Sequence, residues 1–381
     1  MLVRKAMNKN LLFLSVLALV SFGVAFSITM AVAAHPDTGA VSDSSLTECT
    51  PLSYQGPDAL NVVFVASKSD SERYKEYFLA KPPYSEPETR INFYYLDSAR
   101  TPSTCTLYKD IALFCYSDAL LKEASACPHD AIIVLADYPL EIRSSMYKNV
   151  LSLNRNHPPE EVLRHELGHL FGLAEEYVGA SLPPRQQNCK AECDEFQTAT
   201  DGCFEGCSKA SFMRSIGEGV MRTLSSSEYG IYDTVLIRNA LQKAQEKKTL
   251  VTSNVVRADS SCDSQTYTLL EIDGAQIPWS IISREDVKGC PSGELSTEYA
   301  LSITNPEEGI LTKTSFAGNT LFTDAPGTDQ IQGEVYTESR FWVEIPSQLP
   351  QGTIVQITDD SSNNYLTAPL PSGGNNPCRM N

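Results

Sequence analysis

His165-Glu166-Leu167-Gly168-His169-Leu170-Phe171-Gly172-Leu173-Ala174-Glu175-Glu176-Tyr177 is the stretch from which the rest of the chain is read. Residues four apart on an α-helix lie on one face about a turn from each other, so His165 and His169 can aim their imidazoles at a single ion. Imidazole nitrogen suits zinc, and two such ligands leave a tetrahedral ion room for one more protein group and a water. Glu166 is then placed to act as general base on that water. The flanks agree. Pro158 and Pro159 stand where a helix begins, and Glu160 and Glu161 fall in its first turn. Gly172 falls where the helix should stop and the chain reverse. The turn brings two carboxylates back towards the ion. Glu175, ten residues after His165, is preferred as third ligand, with Glu176 as the alternative.

Working outward to the N-terminus, residues 1–34 read as a signal peptide or signal anchor. Arg4, Lys5 and Lys9 precede an apolar run that ends in the small residues Ala31, Val32, Ala33 and Ala34. The expected location is therefore secreted, or anchored on the outer face of the cytoplasmic membrane. Because this segment carries no acid, its removal takes the formal charge from −17 to −20. Such an acidic chain excludes nucleic acid as a partner, and leaves membrane contact only to the N-terminal segment. All eleven cysteines follow the segment, which suits an oxidising compartment and several disulfides. Residues 35–57 form an extended lead-in. Cys49 within it is expected in a disulfide, a thiolate held on the metal being the alternative.

Between the lead-in and the motif, Leu60–Ala66, Ile91–Leu96 and Ala131–Ala136 read as buried strands. Helical patterns cover Ser69–Phe78 and Ala112–Ala124, so a sheet with helices packed against it is expected. A polar loop should then lead to the helix carrying His165. Cys105, Cys115 and Cys127 should brace the long connection, and His129 and His157 read as ordinary loop histidines. Beyond the motif, Cys189-x3-Cys193 and Cys203-x3-Cys207 suggest two short helices stapled by nested bridges, Cys189–Cys207 and Cys193–Cys203, although spacing alone leaves the connectivity open. Ser215-Ile216-Gly217-Glu218-Gly219-Val220-Met221-Arg222 is a tight turn carrying a methionine, with Met221 preferred over Met213 as an apolar floor beneath the ligands. An amphipathic helix spans Asp233–Lys248. From about Ser253 short alternating runs take over, at Tyr267–Ile272, Tyr299–Thr304, Arg340–Ile345 and Thr353–Thr358, as in an antiparallel sandwich. Cys262 and Cys290 should pair there. The expected division is 58–250 for the metal-bearing domain, 251–372 for an all-β sandwich-like domain and 373–381 for a disordered tail.

The quoted motif resembles the segment H-E-x-G-H-x-x-G-G-L-A-D-E-Y of the IgA-peptidase family of zinc metallopeptidases. The likeness extends to Asn61–Ala66, to Asp130-Ala-Ile-Ile-Val-Leu and to Val220-Met221-Arg222, and covers roughly residues 58–248. This chain is one residue shorter between Gly172 and the acidic pair. The resemblance implies an α+β, metzincin-like catalytic domain with a mixed sheet, an active-site helix and a Met-turn at Met221. It also implies one catalytic Zn2+ and hydrolysis of peptide bonds in a protein or peptide substrate, with Tyr177 or Tyr232 as candidates to stabilise the transition state. Two other expectations compete with this one. In the first, the third ligand lies on a later helix, as in thermolysin-like enzymes, with Glu192 a candidate. In the second, the protein is an inactive, metallopeptidase-like binding protein of the cell surface.

Overall fold

Apolar runs too short for helices and too continuous for a half-exposed sheet build the centre of the fold. In the computed structural model, which describes residues 48–371 apart from 98–104, 180–186, 197–199, 255–261, 294, 296–297, 319, 324–333, 348 and 360, they form the middle of an eight-stranded sheet. The export segment, most of the lead-in, the tail and Cys378 lie outside the described residues.

The elements before the motif are β1 (Thr50–Ser53), β2 (Leu60–Val65), helix α1 (Lys68–Leu79), β3 (Ile91–Leu96), β4 (Thr106–Tyr108), β5 (Ala112–Phe114), helix α2 (Asp118–Ala124), β6 (Ala131–Ala136), β7 (Ser145–Tyr147) and β8 (Val150–Asn154). Strands β3, β2, β6 and β8 run parallel, with β1 antiparallel outside β3 and β7 antiparallel outside β8. Parallel strands are buried on both faces, which is why these runs lack a polar alternation. Several expectations need correction. Residues 112–114 pair with 106–108 as a hairpin, so the helix starts only at Asp118, where Ser117 caps it by accepting from Leu120 N. The stretch before the motif is not a loop, because 145–154 supplies β7 and β8. Part of the lead-in is also folded, as β1.

Helix α3 (Pro159–Leu170) carries the motif. It is followed by β9 (Phe204–Cys207), β10 (Lys209–Arg214) and helix α4 (Ile231–Asn254). The later strands are β11 (Thr266–Asp273), β12 (Ser280–Lys288), β13 (Tyr299–Asn305), β14 (Gly309–Phe316), β15 (Thr320–Thr323), β16 (Glu334–Thr337), β17 (Arg340–Pro346), β18 (Ile354–Asp359) and β19 (Asn364–Pro369). Strands β12-β11-β17 and β14-β13-β18-β19 form two antiparallel sheets, as the alternating runs predict. Two strands depart from that pattern. β15 parts from β14, pairs with β7 and brings β16 with it, so the large sheet ends in residues from the C-terminal part.

The pleat sorts the core into two layers. Val62, Phe64, Ile133, Met146, Leu151 and Phe322 face one cluster together with Leu163, Leu167 and Met221. Val63, Val65, Ile132, Val134, Tyr147 and Leu321 face the other, shared with Leu120, Leu270, Ile303, Phe341 and Ile357. Tyr116 joins the two parts of the chain, its hydroxyl donating to Trp342 O at 3.0 Å and accepting from Trp342 N at 3.1 Å.

Among the described residues there are five disulfides, consistent with an extracellular protein. They include the expected Cys189–Cys207, Cys193–Cys203 and Cys262–Cys290. The other two are Cys105–Cys115 and Cys49–Cys127, so Cys49 is bridged and is not a metal ligand. The nested pair does not staple two helices: its first arm is a 3-10 turn over Cys193–Phe196 and its second is β9, where Gly206 adopts φ +81°. No helix among the described residues is long and apolar enough to cross a membrane.

The Cys49–Cys127 bridge ties the outer strand to the chain just before β6 across 78 residues. Replacing both cysteines with serine should lower the unfolding free energy by about 2–5 kcal/mol. A urea titration checks this, and a change below about 1 kcal/mol would show that the strand pairing alone holds that edge.

Candidate metal centre

Helix α3 begins at Pro159, with Pro158 as its cap and Glu160 and Glu161 in its first turn. Its apolar residues Val162, Leu163, Leu167 and Leu170 press it against the sheet. At its end Gly172 takes φ +87°, a conformation only glycine adopts without steric cost. Gly172 N donates to His169 O and Leu173 N to Gly168 O, both at 2.9 Å. The chain is thereby folded back along its own last turn, and Glu175 arrives beside the histidines.

The three groups converge closely. His165 Nε2 and His169 Nε2 are 2.9 Å apart, and the Glu175 carboxylate oxygens lie 3.3 Å from the first and 3.1 Å from the second. Ligands of a tetrahedral ion with zinc-like bonds sit about 3.3 Å from one another, so the spacing suits one small cation. The other ring nitrogens decide the proton positions. His165 Nδ1 is 2.8 Å from Val220 O, and His169 Nδ1 is 2.9 Å from Leu173 O. A carbonyl only accepts, so each Nδ1 carries the hydrogen and donates it. Both Nε2 lone pairs of the neutral rings then face each other and a carboxylate, an arrangement that calls for a cation between them. Burial alone would raise the Glu175 carboxyl; positive charge at the two Nε2 atoms, carried by protons on His169 and His165 or by a cation in their place, outweighs burial and lowers it. This buried His165, His169 and Glu175 group could hold a metal ion.

Met221 packs against the motif helix at Gly168. It is fully buried, and a Cβ on Gly168 would overlap its Sδ and lie 3.0 Å from its Cε. A side chain at Gly168 would therefore have to displace the end of the methionine between the two histidine positions. Met221 O accepts from Glu176 N at 2.9 Å, which ties the methionine to the ligand strand. Tyr229, unforeseen in the sequence, closes the same layer: its hydroxyl donates to Arg164 O and lies 3.3 Å from the Tyr84 hydroxyl. Burial drives the Tyr229 phenol well above its usual range.

Glu176 takes no part in the triad. Its carboxyl bonds to that of Asp233, at the start of α4, and both are fully buried. Besides a hydrogen bond from Asn188 to Glu176, a proton shared between the two carboxyls is what satisfies them among the described residues. Burial pushes Glu176 up to about 7, with Arg214 pulling the other way. Burial, then the charge of Glu176, pushes Asp233 well above the usual carboxylate range. The adjacent glutamates thus sit in opposite environments, Glu175 lowered beside the two histidines and Glu176 raised beside Asp233.

The remaining candidates are placed elsewhere or stand aside. His129 Nδ1 donates to Cys127 O, and His157 Nε2 is 3.0 Å from Leu140 O, so both are structural loop histidines. Glu192 is exposed and outside the cluster. Tyr177 is buried, while Tyr232 packs edge-on against Phe196 with ring centroids 5.1 Å apart. Glu166 is fully buried on the same turn as His165. Also missed is Phe322 of β15, whose ring stacks on His169 at a centroid distance of 4.0 Å and an interplanar angle of 15°. Its local sequence, Thr320-Leu321-Phe322-Thr323, carries no signal of that long-range contact.

Family models and curated proteins were searched and none matches this chain.

Two outcomes follow from this packing. Gly168→Ala should destabilise the protein by about 1–3 kcal/mol through overpacking, and Met221→Ala in the same chain should recover part of that loss; additive effects in thermal melts would place the methionine elsewhere. A carboxyl raised in the folded state binds its proton more tightly folded than unfolded, so the contribution of Asp233 to stability is lost as pH climbs above its unfolded value of about 4. Asp233→Asn should therefore flatten the decline of melting temperature with rising pH; parallel curves for the two proteins would remove the shared proton.

Proposed function

We propose that this protein is an exported, zinc-dependent peptidase of metzincin-like architecture, related in its site to the IgA-peptidase family. The observation that carries the proposal is the convergence of His165 Nε2, His169 Nε2 and Glu175 beside a buried Glu166 one residue from the first ligand. A metal site built only for stability has no need of an added acid there. Further support comes from the antiparallel β7 outside the parallel strands, from Gly172 and from Met221 beneath the helix.

Two imidazoles and one carboxylate favour zinc, which when bound supplies a Lewis acid to polarise a scissile carbonyl and acidify a water. Within the chain, Val220 O and Leu173 O fix the tautomer and aim of the two rings. Glu175, held ionised, completes the ligand set. Glu166 takes a proton from the attacking water and hands it to the departing amine, the role of a general base that turns acid. A protein or peptide is the substrate. The five disulfides and acidic balance suit work outside the cell.

A second reading has an observation of its own. His165, His169, Glu175 and Glu166 are each at most 3 % exposed, as expected of a metal site that binds without turnover in a cell-surface protein.

Glu166→Gln separates the two. The variant should keep one zinc per chain, while cleavage of a quenched peptide library falls by about 10²–10⁴-fold. His165→Ala should lose the metal. Zinc retained by the Gln variant with cleavage unchanged would remove Glu166 from the chemistry.

A further inference from the structure

We infer that strand β15 is a built-in occupant of the metal centre, holding the protein latent until Phe322 and its strand lift away from β7. The inference rests on the metallopeptidase reading above and adds a means of control to it.

Four observations meet at this strand. First, the ligands and Glu166 are closed off from solvent, although a peptide bond must reach them. Second, the group lying on His169 is the Phe322 ring, stacked nearly parallel and itself only 7 % exposed. Third, β15 pairs with β7 in the register Leu321 to Tyr147, Phe322 to Met146 and Thr323 to Ser145. β7 is the last strand that residues before the motif contribute on that side, so β15 takes the main-chain positions that an added extended peptide would use. Fourth, the occupant is covalently part of the chain but is a short graft. β15 has four residues, and its approach is tethered by a buried lysine, Lys148 at the β7–β8 turn. Lys148 Nζ donates to Ala317 O at 2.9 Å and lies 4.8 and 4.3 Å from the ring centroids of Phe316 and Phe341. Such a strand can release while the parallel core stays folded, because local opening follows the number of contacts broken.

Alternation along the strand gives the means to test this. Phe322 and Met146 belong to the layer of the metal helix, whereas Leu321 and Tyr147 belong to the opposite layer. Thr323 and Ser145 share the side of Leu321 and Tyr147, away from the ligands, and stand opposite each other. A cysteine pair at those two positions would lock the strand without touching the site.

The experiment uses the zinc-loaded full chain, with zinc release to an excess of chromogenic chelator followed beside peptide-library cleavage. Phe322→Ala should release zinc about tenfold faster than the unaltered chain and cleave more peptide, since both rates scale with the open fraction. The oxidised Ser145→Cys/Thr323→Cys chain should release zinc more slowly than either single-cysteine parent and lose cleavage. Equal release across all five proteins would overturn the inference, leaving Phe322 as a fixed wall and the peptidase reading intact. Faster release from Phe322→Ala with no cleavage by any protein would support the occupant and overturn the peptidase. Failure of every protein to take up zinc would sink both. Should Phe322→Ala not fold, the locked chain against its parents decides alone.

Discussion

Two imidazoles whose Nδ1 hydrogens are committed to backbone carbonyls leave two lone pairs pointing at each other across 2.9 Å, with a carboxylate closing the triangle. Without a cation this geometry is repulsive, and much of the surrounding structure exists to enforce it. The Val220 carbonyl must be carried to His165 from beyond the disulfide hairpin, which fixes where the methionine turn sits. The Leu173 carbonyl must come back to His169, which requires the left-handed Gly172. Gly168 lacks a side chain where the end of Met221 packs against the helix. Each requirement is local in cause and long-range in effect, since the helix, the turn and the methionine belong to different parts of the chain.

How much of this was legible in the sequence depended on whether the signal was local. The spacing of His165, His169 and Glu175 and the glycine between them are helix and turn arithmetic, and the structure brings those groups together. Strands β3 and β6 were readable to the residue because strands buried on both faces are continuous apolar runs. The hairpin at Ser145–Asn154 was not, because Ser145, Ser152 and Asn154 are buried yet polar; Ser152 Oγ accepts from Cys115 N and Asn154 binds the carbonyls of Pro139 and Ile142. Polar residues satisfied internally look like loop to any reading of hydropathy. The choice between Glu175 and Glu176 was equally hidden, since it turns on Asp233, a distant residue that gives Glu176 a partner for its proton. Cysteine spacing yielded the nested bridges but not the backbone around them, where the left-handed Gly206 interrupts the expected helix.

The C-terminal part shows the same divide from the other direction. Its alternating runs announced an antiparallel pair of sheets, and those sheets formed. The transfer of β15 and β16 to the large sheet left no mark, because a four-residue strand has the same composition whichever neighbour it meets. Once transferred, it makes the two halves share a core: Leu321 and Tyr147 lie in the layer that also holds Phe341 and Ile357, while Phe322 reaches the histidine helix on the other face.

That exchange also bears on how the molecule is made. A ribosome delivers the histidine helix and β7 long before it delivers Thr320. Throughout that interval the newly formed sheet presents a bare row of amides and carbonyls at Ser145–Tyr147, the kind of open margin that invites association with other chains. The same interval leaves the Phe322 side of His169 uncovered. Pairing β7 with β15 closes a loop spanning roughly half the protein, a non-local step of the type that folds slowly. The final strand therefore completes the sheet, buries its vulnerable margin and seals the histidine helix in one late event of assembly.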